Sequence, residues 1–145
     1  MPERRKLRRR DMLKDQHVIL CVDDDPDVLA SLRVVLESDG YVVETARSGK
    51  EGIGEFGRKK PDLVILDLMM EDVDAGTRLV RELKALSPGV PVYMLSSTGD
   101  YLGKAVDVDE LGFQGVFQKP VDPKILLRLL RAKLGRPPAD AEGKG

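Results

Sequence analysis

Val18-Ile19-Leu20-Cys21-Val22-Asp23-Asp24-Asp25-Pro26 compresses a strand, an acidic turn and a helix start into nine residues. Five consecutive apolar residues with no polar alternation predict a strand covered on both faces. Asp25 followed by Pro26 supplies an N-cap and a proline at the first helical position. Val28, Leu29, Leu32, Val35 and Leu36 then recur at helical spacing, and Gly40 closes the helix.

The same alternation repeats along the chain. Tyr41 to Ala46 predicts a second strand, and Ser48 with Glu51 reads as a capping box. Gly52, Gly54 and Gly57 each weaken the helix that follows by about 0.5–1 kcal/mol relative to Ala. Leu63-Val64-Ile65-Leu66 is a third apolar strand, ending at Asp67. Leu79, Val80, Leu83 and Leu86 give the next helix one buried face, and Ser87-Pro88-Gly89 breaks it. Val90 to Leu95 and Gly115 to Gln118 predict strands four and five. Ile125, Leu126, Leu129, Leu130 and Leu134 mark the last helix. Five β/α units of this kind predict an α/β, doubly wound three-layer sandwich around a parallel sheet. Ligands of such sheets bind beyond the carboxyl ends of the strands.

Those ends carry a chemical set. Asp23, Asp24 and Asp25 follow strand one, Asp67 ends strand three, Ser96 follows strand four, and Lys119-Pro120 follows strand five. A single aspartate in such a place is ordinarily a helix cap. Capping does not account for acids, a hydroxyl and an ammonium on four strands of one edge. Crowded carboxylates need a counter-charge. Mg²⁺ takes oxygen ligands and binds one or two carboxylates together with phosphate oxygens and water. A carboxylate also serves as a nucleophile toward phosphorus, giving an aspartyl phosphate. An ammonium and a hydroxyl stabilise the charge spread over the moving phosphoryl group.

Three stretches carry a family resemblance: residues 18–26 as quoted, Pro61-Asp62-Leu63-Val64-Ile65-Leu66-Asp67, and Phe117-Gln118-Lys119-Pro120. In this order and spacing they resemble the receiver domains of two-component response regulators. The resemblance implies a flavodoxin-like (βα)5 fold with strand order 2-1-3-4-5. It implies Asp67 as phosphoacceptor, and Mg²⁺ held directly by Asp24 and Asp67, with Asp23 helping through water and the backbone carbonyl of Met69 completing the set. Ser96 is implied to hydrogen-bond the phosphoryl group, Lys119 to pair with it, and the Lys119-Pro120 bond to be cis. The activity so implied is a signalling switch, not a conventional enzyme. A histidine kinase or phosphotransfer protein donates a phosphoryl group to Asp67, the protein catalyses its own phosphorylation and dephosphorylation, and contacts with an output protein change.

The sequence departs from the family pattern in three places. After the acceptor, Met69-Met70-Glu71-Asp72-Val73-Asp74-Ala75-Gly76 has Glu71 where Pro is common, and one extra residue if Gly76 matches the family Gly. Met69 is expected to lie close to the site and shield the phosphoryl group from water. Three residues before Lys119 stands Val116, not an aromatic, with Phe117 beside it. Asp100 to Gly112, the fourth-helix region, contains Gly103 and the alternating Val106, Asp107, Val108 and Asp109, so a short, displaced or mobile helix is expected there.

Bulk properties narrow the remaining choices. Lys and Arg number 24 against 25 acids, a formal net charge of −1, so no global field draws the chain to nucleic acid or a membrane. Cys21 has no partner for a disulfide and reads as a buried strand residue in a reducing compartment. No apolar run reaches membrane-spanning length and no signal-peptide pattern opens the chain, which predicts a cytoplasmic protein. Residues 1–15 form a basic arm without aromatics to stack bases, so a solvated or partner-binding role outweighs nucleic acid. Residues 16–135 are the expected receiver domain and residues 136–145 a flexible tail. No effector domain fits in the remainder, so output is expected through protein contacts, from a monomer or weak dimer. Two alternatives compete: a degenerate receiver acting only as an interaction scaffold, and an aspartate-nucleophile phosphatase of the haloacid dehalogenase type. The second rests on the D-x-D of Asp23 and Asp25, but Asp27 stands where that motif wants Thr. The complete acidic, hydroxyl and ammonium set argues against the first.

Overall fold

The computed structural model describes residues 16–67, 73–96 and 113–135, with 73–77 described by their backbone alone. Its elements are β1 (Val18–Val22), α1 (Pro26–Ser38), β2 (Val42–Ala46), α2 (Gly49–Lys59), β3 (Leu63–Asp67), α3 (Val73–Leu86), β4 (Val92–Ser96), β5 (Gly115–Gln118) and α4 (Pro123–Leu134). All strand pairs are parallel, in the order β2-β1-β3-β4-β5. The doubly wound α/β architecture and strand order expected from the sequence are therefore present.

Side chains of a strand alternate between its faces, and this splits the core into two layers. Leu20, Val22, Val64, Leu66, Val92 and Met94 pack with Phe56 of α2 and Leu79 and Leu83 of α3. Ile19, Cys21, Leu63, Ile65, Tyr93 and Leu95 pack on the other face with Leu29, Leu32 and Leu36 of α1 and Leu126 and Leu130 of α4. Because both faces are covered, neighbouring strand residues are all buried, which is why the runs show no polar alternation.

Local chemistry sets the boundaries. Asp25 caps α1 through its side chain, which accepts from the Asp27 N–H at 2.9 Å. The helix stops where Gly40 adopts φ +94° and the Tyr41 N–H turns back to the Leu36 carbonyl. That bond takes Tyr41 out of β2, one residue later than the pattern predicts. Likewise the Val90 N–H closes a turn onto Ser87, and Pro91 has no N–H to give, so β4 starts at Val92 and runs through Ser96. Leu86 is 59% exposed, not buried as its spacing predicts, since it is the final helical residue before the chain turns at Ser87. Ile125 is 52% exposed, for α4 turns Leu126 and Leu130 inward and leaves Ile125 beside the stripe. No helix among the described residues is long and apolar enough to cross a membrane.

At the start of α2 the Glu51 N–H donates to Ser48 Oγ at 3.1 Å, while the Glu51 carboxylate accepts from the Arg47 N–H at 2.7 Å. The return bond thus reaches one residue further back than in a regular capping box. The three glycines of this helix are not equivalent. A Cβ on Gly52 would lie 3.3 Å from Val22 Cγ2, so α2 sits close on β1 there, whereas Gly54 and Gly57 have nothing within 4 Å of a Cβ. Gly54→Ala is accordingly expected to stabilise the fold by about 0.5–1 kcal/mol. Gly52→Ala should gain less, because its methyl must push Val22. Urea unfolding of the two variants checks the order.

Candidate functional site

Register brings the strand ends level. Val22 pairs with Leu66, Asp67 with Leu95, and Ser96 with Gln118, so Asp23, Asp67, Ser96 and Lys119 all fall at one edge. Among the described residues, the buried polar or charged side chains are Asp23, Asp67 and Ser96, at 0%, 8% and 2% exposure. Burying such groups costs free energy unless they are paired, so their gathering at one edge marks a functional site.

Asp23 is the most constrained. Its N–H donates to the Ala46 carbonyl at 3.1 Å, and its Oδ1 accepts from the Asp25 N–H at 2.9 Å. Its Oδ2 pairs with Lys119 Nζ at 2.9 Å. The same ammonium donates to Asp67 Oδ2 at 3.0 Å. Lys119 is fixed at its backbone by an N–H bond of 2.7 Å to the Ser96 carbonyl, and the Lys119-Pro120 peptide is cis, as the resemblance implies. Burial pushes the Asp23 carboxyl above its ordinary range, and the charge of Asp67 adds to this. The Asp25 N–H and Lys119 act the other way. Burial pulls the Lys119 ammonium down, but the bonds to Asp23 and Asp67 outweigh it and the net shift is upward.

Asp23, Asp24 and Asp67 each offer an oxygen, and these lie within 4.8 Å of one another. Asp24 is exposed while the other two are buried. Three carboxylates whose hard oxygen donors converge at one edge, two of them buried, fit a Mg²⁺ ion. Asp25 stays apart from this set as a helix cap. Met69, whose carbonyl was expected to complete the ligands, lies outside the described residues, as do Glu71 and the segment 100–112.

Val116 and Phe117 occupy opposite faces of β5. Val116 packs half-buried against the layer under α2 and α3. Phe117 lies in the other layer, its ring 5.4 Å from that of Tyr93 at 35°. The neighbouring aromatic therefore does not fill the place of an aromatic at Val116. The sequence reading also missed a cavity of about 220 Å³ between α1 and the β5–α4 connection, lined by Val28, Leu32, Val35, Pro120, Val121 and Lys119. Its α1 residues read simply as core from their spacing.

A five-stranded doubly wound sheet with an acidic cluster and a lysine at its carboxyl edge defines a class, and comparison with known proteins gives the family. Residues 19–131 match the response regulator receiver domain, and the chain belongs to that family. It is 41% identical over 117 residues to the transcriptional regulatory protein GlrR of Escherichia coli, covering 81% of this chain and 26% of that protein. It is 36% identical over 118 residues to the DNA-binding response regulator MtrA of Mycolicibacterium smegmatis, covering 81% of this chain and 50% of that one. The chain thus spans a quarter to a half of these relatives. The crystal structure of a response regulator receiver domain protein (CheY-like) from Methanospirillum hungatei superposes with a TM-score of 0.73 at 30% identity. It covers 90% of this chain and 99% of that one. Receiver domains are signalling phosphoacceptors of two-component systems, bind Mg²⁺ at an acidic site and interact with histidine kinases or phosphotransfer proteins.

Proposed function

We propose that the chain is a phosphorylation switch whose acceptor is Asp67, loaded from a histidine kinase or phosphotransfer protein. The observation that carries this is the placement of Asp67 at the end of β3, 3.0 Å from Lys119 Nζ and inside the carboxylate cluster. In the transfer a carboxylate oxygen of Asp67 attacks phosphorus in line with the donor nitrogen. The P–O bond forms as the P–N bond breaks, and the electron pair returns to the donor imidazole. Lys119 neutralises phosphoryl oxygen charge from beside the acceptor, and the Ser96 hydroxyl, on the adjacent strand end, donates to the same oxygens. Asp24 and Asp67, with Asp23 helping through water and the Met69 carbonyl completing the set, would hold Mg²⁺, which would supply further charge neutralisation. Water attacking the phosphorus of the aspartyl phosphate restores the carboxylate, so the state is transient and self-limiting.

The domain proper is residues 16–135, flanked by the basic arm 1–15 and the tail 136–145, and acts in the cytoplasm through contacts with an output protein. The scaffold alternative has no observation in its favour, since Asp23, Asp24, Asp67, Ser96 and Lys119 assemble at one edge. Acetyl phosphate with Mg²⁺ is expected to add one phosphoryl group per chain, read by intact mass. Chelating the metal with EDTA should prevent it. A chain that stays unlabelled under both conditions would overturn the reading.

A further inference from the structure

The geometry points to the outer face of α4 as a docking surface for an acidic amphipathic helix of a partner protein. The inference stands apart from the acceptor site and needs no phosphoryl group.

α4 carries charge of one sign. From Pro123 through Leu134 it holds Lys124, Arg128, Arg131 and Lys133 and no acid. Lys124, Leu127, Arg128 and Arg131 stand at i, i+3, i+4 and i+7, so they share one face. Together they line a groove of about 320 Å³. The three cations are exposed and Leu127 is half-buried, which sets an apolar side chain between charges. Elsewhere cations are matched by nearby acids: Arg33 pairs with Glu37 on α1, Arg58 with Glu55 on α2, and Lys59 with Glu44 of β2. On α4, Arg131 pairs with Asp39 at the end of α1. Lys124 and Arg128 make no ion pair with any described residue. Helix stability does not account for them. Arg131 and Lys133, in the last turn, complement the helix dipole, but Lys124 sits in the first turn, where a cation is unfavourable.

Charge complementarity names the occupant. Lys124 and Arg128 are one helical step of four residues apart, about 6 Å along the axis. Carboxylates four residues apart on a partner helix repeat at the same distance, so the two helices match in register. An apolar residue of the partner between those carboxylates then meets Leu127. A lipid surface fits less well, because Leu126 and Leu130, the apolar side of α4, are buried in the core and have nothing left to insert. Nucleic acid also fits less well, since α4 has no aromatic side chain to stack a base. The flank of α4 toward β5 is a separate surface, where Lys133 Nζ donates to Gln114 Oε1 at 3.2 Å.

A fluorescent synthetic helix with Glu four residues apart on either side of a Leu tests this on the full chain, with binding read by anisotropy. It should bind wild type. Lys124→Ser combined with Arg128→Ser should weaken binding about tenfold. Both positions are exposed, so the double variant should melt like wild type. Lys133→Ser, on the other flank, should bind like wild type. A second peptide with Ser in place of the Leu should bind wild type more weakly than the first. No binding to wild type, undiminished binding by the double variant, an equal loss in Lys133→Ser, or a Ser peptide that binds as tightly as the Leu peptide would each overturn the proposal. Wild-type protein and the double variant are also titrated with phosphatidylserine vesicles and with a single-stranded oligonucleotide. If either binds wild type more tightly than the peptide does, and the double variant loses that binding, a helix is not the occupant.

Discussion

Asp67→Asn is expected to abolish labelling by acetyl phosphate under conditions that label the wild-type chain. The substitution keeps the side-chain shape but removes the anionic oxygen that attacks phosphorus, and an amide cannot take its place as nucleophile. It also removes one of two partners of the Lys119 ammonium, leaving the pair with Asp23 at 2.9 Å. The variant should therefore stay folded, because the more deeply buried carboxylate keeps its counter-charge. Intact mass reports the adduct directly, and peptide mapping reports where it sits. An adduct on Asp67→Asn equal to wild type would show that another carboxylate, Asp23 or Asp24, is the acceptor. A faint adduct mapped to one of these neighbours would leave Asp67 as the principal site.

The fold was legible because its sheet is parallel and covered on both faces. Runs such as Leu63 to Leu66 carry no alternation, so each strand announces itself, and the proline and glycine punctuation at Pro26, Gly40 and Ser87-Pro88-Gly89 marks the helices between. The site was legible for the same reason: parallel strands all end at one edge, so the residues after each run must meet. What was not legible depends on distance or on exact angle. Nothing in the spacing of Asp23, Asp67 and Lys119 says that one ammonium serves both carboxylates, since that contact joins residues far apart in sequence. Helical period places Leu86 and Ile125 near an apolar stripe but does not fix its width, and both prove largely exposed. The Glu51 carboxylate bonds Arg47 and not Ser48, a difference of one residue that no pattern resolves. The roles read into Met69 and into Asp100 to Gly112 fall outside the described residues.

Mg²⁺ should stabilise the folded chain, and by more at neutral than at acid pH. A ligand that binds only the folded state adds RT ln(1 + [L]/Kd), about 2.7 kcal/mol at a hundred times Kd, or a rise in melting temperature of about 5–10 °C at this chain length. The pH dependence follows from Asp23. Its folded pKa lies above the reference value of 3.8, chiefly through burial. A group shifted upward favours the fold fully below the unfolded pKa, and that contribution is lost as pH rises through the folded pKa. In metal-free protein, ionising Asp23 is therefore a cost that appears at and above the carboxylate range. A metal needs these carboxylates ionised, so its stabilisation should be smaller near pH 4 than near pH 7. Lys119 does not obscure this window. Its pKa is raised from 10.5, so its contribution is fully present below that value and is lost only as pH rises through the folded pKa, far above neutrality. Asp24→Ala removes one of the three oxygens gathered within 4.8 Å and leaves the buried pair of Asp23 and Lys119 untouched. That variant should melt like wild type in EDTA and lose most of the Mg²⁺ gain. Thermal melts with Mg²⁺ and with EDTA at both pH values supply the comparison. An Asp24→Ala chain that gains as much from Mg²⁺ as wild type would place the ion elsewhere, and a gain in wild type that does not change between the two pH values would separate it from Asp23.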